Sequence, residues 1–244
     1  MKLVIESAIR READLPTLAM LELWHNLVKE KTDTDFEVLI GDRHSVKEMS
    51  SFKGELNTAF PNVINGKPCL VLWVDNTNNV FPIIITHEIG HWVLKLQGFQ
   101  GIKHLKTKDI DIGALLGSMC HHPPLYVLQR QLGHEPQNEI DDRAKSNIQR
   151  FTNTSINSGL KDAFLITDDL LNCSEEFSVQ LKNIVSQKHR NVWTLVDIIL
   201  SLSNDFDLLK PQGNLQFLRK TMKKLKLDKE FYEPDEILAL KNMA

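Results

Sequence analysis

Cysteine is scarce in this 244-residue chain, and aromatic residues make up only 7% of it. Cys69, Cys120 and Cys173 are far apart and form no C-x-x-C pair. Neither a disulfide framework nor a thiolate metal site is implied, so a reducing, cytoplasmic setting is the expectation. Net charge is also nearly absent, since 29 basic and 32 acidic residues leave −3. That gives no field for holding a polyanion, and nucleic acid is not an expected partner. Long apolar runs are missing too. The longest, around Val80–Ile85, is broken by Pro82 and reaches His87 and Glu88, well short of the roughly 20 apolar residues of a membrane span. Glu6, Arg10 and Arg11 come too early for a secretory signal, so neither membrane nor export is expected. No G-x-x-x-x-G-K, G-x-G-x-x-G or G-x-S-x-G occurs, which removes the usual signals of nucleotide and serine-nucleophile chemistry. What is present, 42% apolar and 25% charged residues, describes a globular chain able to bury one large core or two small ones.

The pattern along the chain predicts an α+β fold, mostly helical, with a small β-sheet beside one central helix. Leu3–Ile5 is a short apolar run. Asp14 and Pro16 read as a cap and a first-turn proline before Leu18, Leu21, Trp24, Leu27 and Val28 at helical spacing. Phe36–Ile40 reads as a short strand and Val46–Phe60 as a polar helix. Asn65-Gly66 is a turn signal, and Cys69–Val74 is the strongest strand in the sequence. Ile85, Ile89, Trp92, Val93 and Leu96 then keep helical spacing until Gly98. Further helices are expected over Ile110–Cys120, which runs into His121-His122-Pro123-Pro124, over Leu125–Leu132, and over Pro136–Phe151, whose stripe is Ile140, Ala144, Ile148 and Phe151. The polar stretch Asn153–Gly159 suggests a boundary between a catalytic part, 1–152, and a helical carboxy-terminal part, 160–244.

The chemistry is concentrated in His87-Glu88-Ile89-Gly90-His91, an H-E-x-x-H motif on a predicted helix. The four-residue step puts both imidazoles on one face, a turn apart, where they can share one zinc ion. Zinc in such a site acidifies water and polarises a carbonyl, and Glu88 stands beside it as general base.

At these residues the chain resembles the zincin metallopeptidases, whose active-site helix carries HEIGH or HELGH after a substrate-binding edge strand. The resemblance implies zinc-dependent hydrolysis of a peptide bond and a peptide or protein substrate laid along Cys69–Val74 by β-augmentation. It also implies a third protein ligand. Leu94 and Gln97 stand where a metzincin carries glycine and histidine, so a gluzincin-like ligand from a later helix is expected. On the Pro136–Phe151 helix, Asp141 borders the buried stripe while Glu139 and Asp142 point away from it. Asp141 with Ala144 is similar to the E-x-x-A pattern of several gluzincin families, with aspartate in place of glutamate. The expected metal set is therefore His87, His91 and Asp141, with Glu139 second and Arg143 as a group that orients the carboxylate. His121 and His122 supply either a third ligand or a cation for the oxyanion, and His122 is assigned as the catalytic assistant; Tyr126 is a further oxyanion candidate. The alternative to a peptidase is a non-cleaving zinc-binding regulatory protein of the same fold, and the intact Glu88 argues for cleavage.

Overall fold

The computed structural model describes residues 3–42, 58–74, 82–105, 110–154 and 159–244. The expected helix Val46–Phe60 lies outside these residues except for its last three, which are strand. The chain forms two compact units: Met1–Gln97 with Leu128–His134 and Asp235–Ala244, and Gly98–Val127 with Glu135–Pro234. The division therefore does not fall at Asn153–Gly159, of which residues 155–158 lie outside the described set. Phe151 on one side of that stretch and Phe164 and Ile166 on the other are buried in a single core, and shared burial, more than local polarity, defines a unit.

The first unit runs β1 (Leu3–Ile5), α1 (Glu6–Glu12), α2 (Leu15–Thr32), β2 (Glu37–Asp42), β3 (Thr58–Ile64), β4 (Lys67–Val74) and α3 (Pro82–Leu96). Asp14 caps α2 as its position suggests, accepting the Thr17 N–H at 2.9 Å. Asn65 and Gly66 both take positive φ, 52° and 74°, the signature of a two-residue type I′ hairpin, which fixes the β3/β4 register. The sheet order is β1-β2-β4-β3, with β2 and β4 parallel and the outer pairs antiparallel. Leu70 and Leu72 are fully buried on one face of β4, and Cys69, Val71 and Trp73 are buried on the other.

This corrects the expectation that Cys69–Val74 is an edge. A run apolar at every position is buried on both faces, and that is the pattern of an interior strand; an edge strand facing solvent alternates. Helix α3 packs on β3 and β4, and the Trp92 Nε1–H donates to the Ala59 carbonyl at 2.8 Å.

Glu6 is a strut of this unit. One oxygen accepts from Arg10 Nε at 2.6 Å and His25 Nε2 at 2.8 Å, the other from the Val38 N–H at 2.8 Å. Burial by itself raises the carboxyl, but the hydrogen bonds from His25, Val38 and Arg10 outweigh it and hold the carboxyl at about 2, against an ordinary 4.5. A depressed acid stabilises the fold above its unfolded pKa and loses that contribution as pH falls toward the folded value. We expect about 3 kcal/mol to be present at neutral pH and lost between about pH 4.5 and 2. Denaturant unfolding of wild type and Glu6→Gln checks this: the stability gap is constant from pH 7 to 5 and closes below that window, and a gap that stays constant at pH 3 contradicts it.

The second unit runs β5 (Lys103–His104), α4 (Ile110–Gln131), α5 (Gln137–Asn153), α6 (Gly159–Asn172), α7 (Glu175–Lys188), α8 (Arg190–Ser203), α9 (Pro211–Lys224) and β6 (Phe231–Tyr232); the last four residues of α4 belong to the first unit, as does α10 (Glu236–Lys241). Its core includes Leu116, Met119, Phe151, Phe164, Leu181 and Phe217. The two helices expected on either side of Pro123-Pro124 are one, α4. Proline in a helix removes an N–H and frees the carbonyl four residues earlier. For Pro124 that carbonyl is Cys120, and the fully buried Asn214 donates its Nδ2–H to it at 2.6 Å. With the freed acceptor satisfied, the helix runs on to Gly133, whose φ of 97° stops it. Among the described residues no helix is long and apolar enough to cross a membrane.

Candidate metal centre

Helix α3 carries the H-E-x-x-H residues on a scaffold fixed by burial of Ile85, Ile89, Val93 and Leu96. His87 and His91 remain half-buried on the other side, with Nε2 atoms 3.3 Å apart and rings 4.9 Å apart at 83°. Two nitrogens each about 2.05 Å from zinc at a tetrahedral angle are themselves about 3.3 Å apart. The pair therefore already has the spacing of two tetrahedral ligands.

Helix α4 carries a further imidazole, His122. The end of this helix is fastened near the motif, because Gln129 Nε2–H donates to Thr86 Oγ1, the residue before His87, at 3.1 Å. His122 lies seven residues back along the same helix, a rise of about 10 Å. One ligand atom from each of His87, His91 and His122 lies within 4.8 Å of the others, the one such group of three among the described residues. His122 is buried, and its Nδ1–H donates to Asp168 Oδ2 at 2.6 Å. A carboxylate accepts and does not donate, so Nδ1 carries the proton in this bond, and in the neutral ring Nε2 is then the nitrogen with a lone pair to offer a cation.

Asp141 does not join this group. Its Oδ1 accepts from the Ser174 N–H at 2.8 Å and from Gln137 Nε2 at 3.0 Å, tying α5 to the start of α7. The wheel correctly put Asp141 at the border of the buried stripe, with Glu139 and Asp142 exposed, but a border position on a helix does not say what lies opposite. Arg143 orients carboxylates as expected, though other ones: Nε donates to Asp169 Oδ1 at 2.7 Å and Nη2 lies 3.1 Å from Asp168 Oδ2. His121 is not in this group, and its Nε2 lies 3.1 Å from the Gln100 carbonyl. Tyr126 stacks on His122 at 5.2 Å and accepts from Arg143 Nη1 at 3.2 Å, and burial pushes its hydroxyl up. Asp168, Asp169 and Asn172 were not singled out from the sequence. Their signal was weak but present, since adjacent aspartates on the apolar face of a helix require partners.

Glu88 is half-buried on α3. Burial pushes its carboxyl up to about 8, and the Lys95 ammonium two turns later offsets only part of that. A dication held by the flanking histidines acts in the opposite direction and favours the ionised form a base requires.

Among the described residues the sheet edge near this helix is β3. In a two-residue hairpin closed by Ile64 and Lys67, the ladder bonds belong to Thr58, Phe60, Asn62 and Ile64, and the backbone groups of Ala59, Pro61 and Val63 face outward. Of these, the Ala59 carbonyl takes the Trp92 indole, Pro61 has no N–H, and the Val63 N–H is held by Asn62 Oδ1 at 2.8 Å. These features take away part of what the edge offers an added strand. Comparison with protein-family profiles, with curated proteins and with solved structures gave no match.

Proposed function

We propose that this chain is a zinc-dependent peptidase whose metal is held by His87, His91 and His122. The observation that carries the reading is the gathering of those three imidazoles around one point, with Glu88 next to the first of them. Resemblance to the zincins at HEIGH supports the reaction class. The donor set fits zinc: three imidazoles suit a catalytic site, and hard cations that demand oxygen ligands are disfavoured.

A bound zinc ion supplies Lewis acidity toward a substrate carbonyl and lowers the pKa of water. The protein contributes the remaining parts. His87 and His91 are set by one rigid helix and His122 by another. Glu88 takes a proton from the attacking water and returns it to the leaving amine. Three uncharged ligands leave the full double charge of the metal in place, where two histidines and a carboxylate would halve it. His122 thus serves as a ligand, and the oxyanion-assisting role assigned to it from the sequence falls away.

The test is cleavage of a mixed peptide library followed by mass spectrometry, using protein stripped with chelator and then reloaded. We expect about one zinc per chain on purification, no cleavage by stripped protein, and recovery with zinc but not magnesium. Zinc content far below one per chain, or cleavage indifferent to chelation, ends the reading.

A further inference from the structure

Helix α6 carries three buried aspartates, Asp162, Asp168 and Asp169, which are 2%, 5% and 0% exposed. Burying carboxylates at this density is unfavourable unless each is paired, and each is. Asp162 meets Arg150 Nη2 at 2.6 Å, a pairing that includes none of His87, His91 and His122. Asp168 is different. Its Oδ2 accepts from His122 Nδ1 at 2.6 Å and lies 3.1 Å from Arg143 Nη2, while its Oδ1 accepts from Asn172 Nδ2 at 2.9 Å. Asn172 cannot easily turn away, because the same Nδ2 donates to the Asp168 carbonyl at 2.7 Å. Arg143 is fixed in turn by Asp169, which Asn147 Nδ2 holds at 2.6 Å. These contacts bring donors or a cation to both oxygens of Asp168, which favours one rotamer and the role of acceptor toward His122.

We propose that Asp168, braced by Arg143 and Asn172, is a positioning residue for the metal centre: it holds His122 in the Nδ1–H tautomer, aims its Nε2 and strengthens it as a donor. This rests on the three-histidine reading above. An acidic partner behind a ligating imidazole raises its basicity and removes the rotational freedom it would otherwise lose on binding. Asparagine at 168 cannot do the same, because its NH2 group must face either the Asn172 amide or the Arg143 and His122 donors.

Asp162 provides the control, being equally buried, on the same helix and paired to an arginine. The full-length chain is titrated with zinc against a chromophoric chelator, with melting of the stripped protein followed in parallel. Asp168→Asn is expected to weaken zinc by about 10- to 100-fold, while Asp162→Asn lowers the melting temperature and leaves zinc affinity unchanged. In a His122→Ala background, Asp168→Asn is expected to cause no further loss. Equal weakening by both aspartate substitutions, or none by Asp168→Asn, overturns the proposal. Should Asp168→Asn fail to fold, Asn172→Ala removes the brace on Oδ1 together with the bond to the Asp168 carbonyl and leaves the carboxylate itself in place; several-fold weaker zinc supports the proposal and unchanged zinc refutes it. If His122→Ala binds zinc as wild type does, the three-histidine reading itself has failed.

Discussion

His122→Ala is expected to lose zinc, and Asp141→Ala is expected to keep it. Structural zinc binding worth about 10–16 kcal/mol over four ligands assigns about 3 kcal/mol to each, so loss of one imidazole weakens the metal by more than about a hundredfold. Asp141 instead ties the start of α7 to α5 through the Ser174 N–H, and its removal costs about 1 kcal/mol of stability without touching the metal. Equilibrium dialysis of the two variants separates the possibilities. Zinc retained by His122→Ala and lost by Asp141→Ala moves the site to the carboxylate.

The second large effect is at Glu88. Glu88→Gln removes the base and keeps the shape, and we expect turnover to fall by about 10²- to 10⁴-fold with zinc still bound. Burial already disfavours charge at this position, as the upward shift to about 8 records. A neutral amide therefore fits the metal-free fold at least as well as the carboxylate, so lost turnover is not lost folding. Steady-state cleavage of a peptide found in the library screen, beside metal analysis of the same samples, gives the answer. Equal turnover by both forms refutes Glu88 as base, and zinc retention without any cleavage by wild type points to the non-cleaving regulatory protein.

The elements that were legible in the sequence are those whose signals are local. Asp14 caps α2, Gly98 and Gly133 take left-handed backbone where α3 and α4 stop, and the HEIGH spacing alone puts two imidazoles on one face. The third histidine was visible as a residue but not as a place. Two prolines after His122 read as a stop, and only Asn214, 90 residues after Pro124 in the chain, satisfies the carbonyl that Pro124 frees and lets the helix continue. Local propensity cannot register a partner so distant. The α5 stripe was likewise read correctly, yet Asp141 on its border serves the turn into α7. The strand Cys69–Val74 was found and its place in the sheet missed, although its unbroken apolar run already described burial on both faces.

The blunted rim of β3 has a further consequence, for the protein's behaviour at high concentration. Among the described residues the opposite margin of the sheet is the three-residue β1, a short template, and the β3 margin lacks an N–H at Pro61. The described margins of the sheet therefore give edge-to-edge pairing a poor template, and concentrated protein is expected to resist strand-mediated association through the same proline and tryptophan that flank the HEIGH helix.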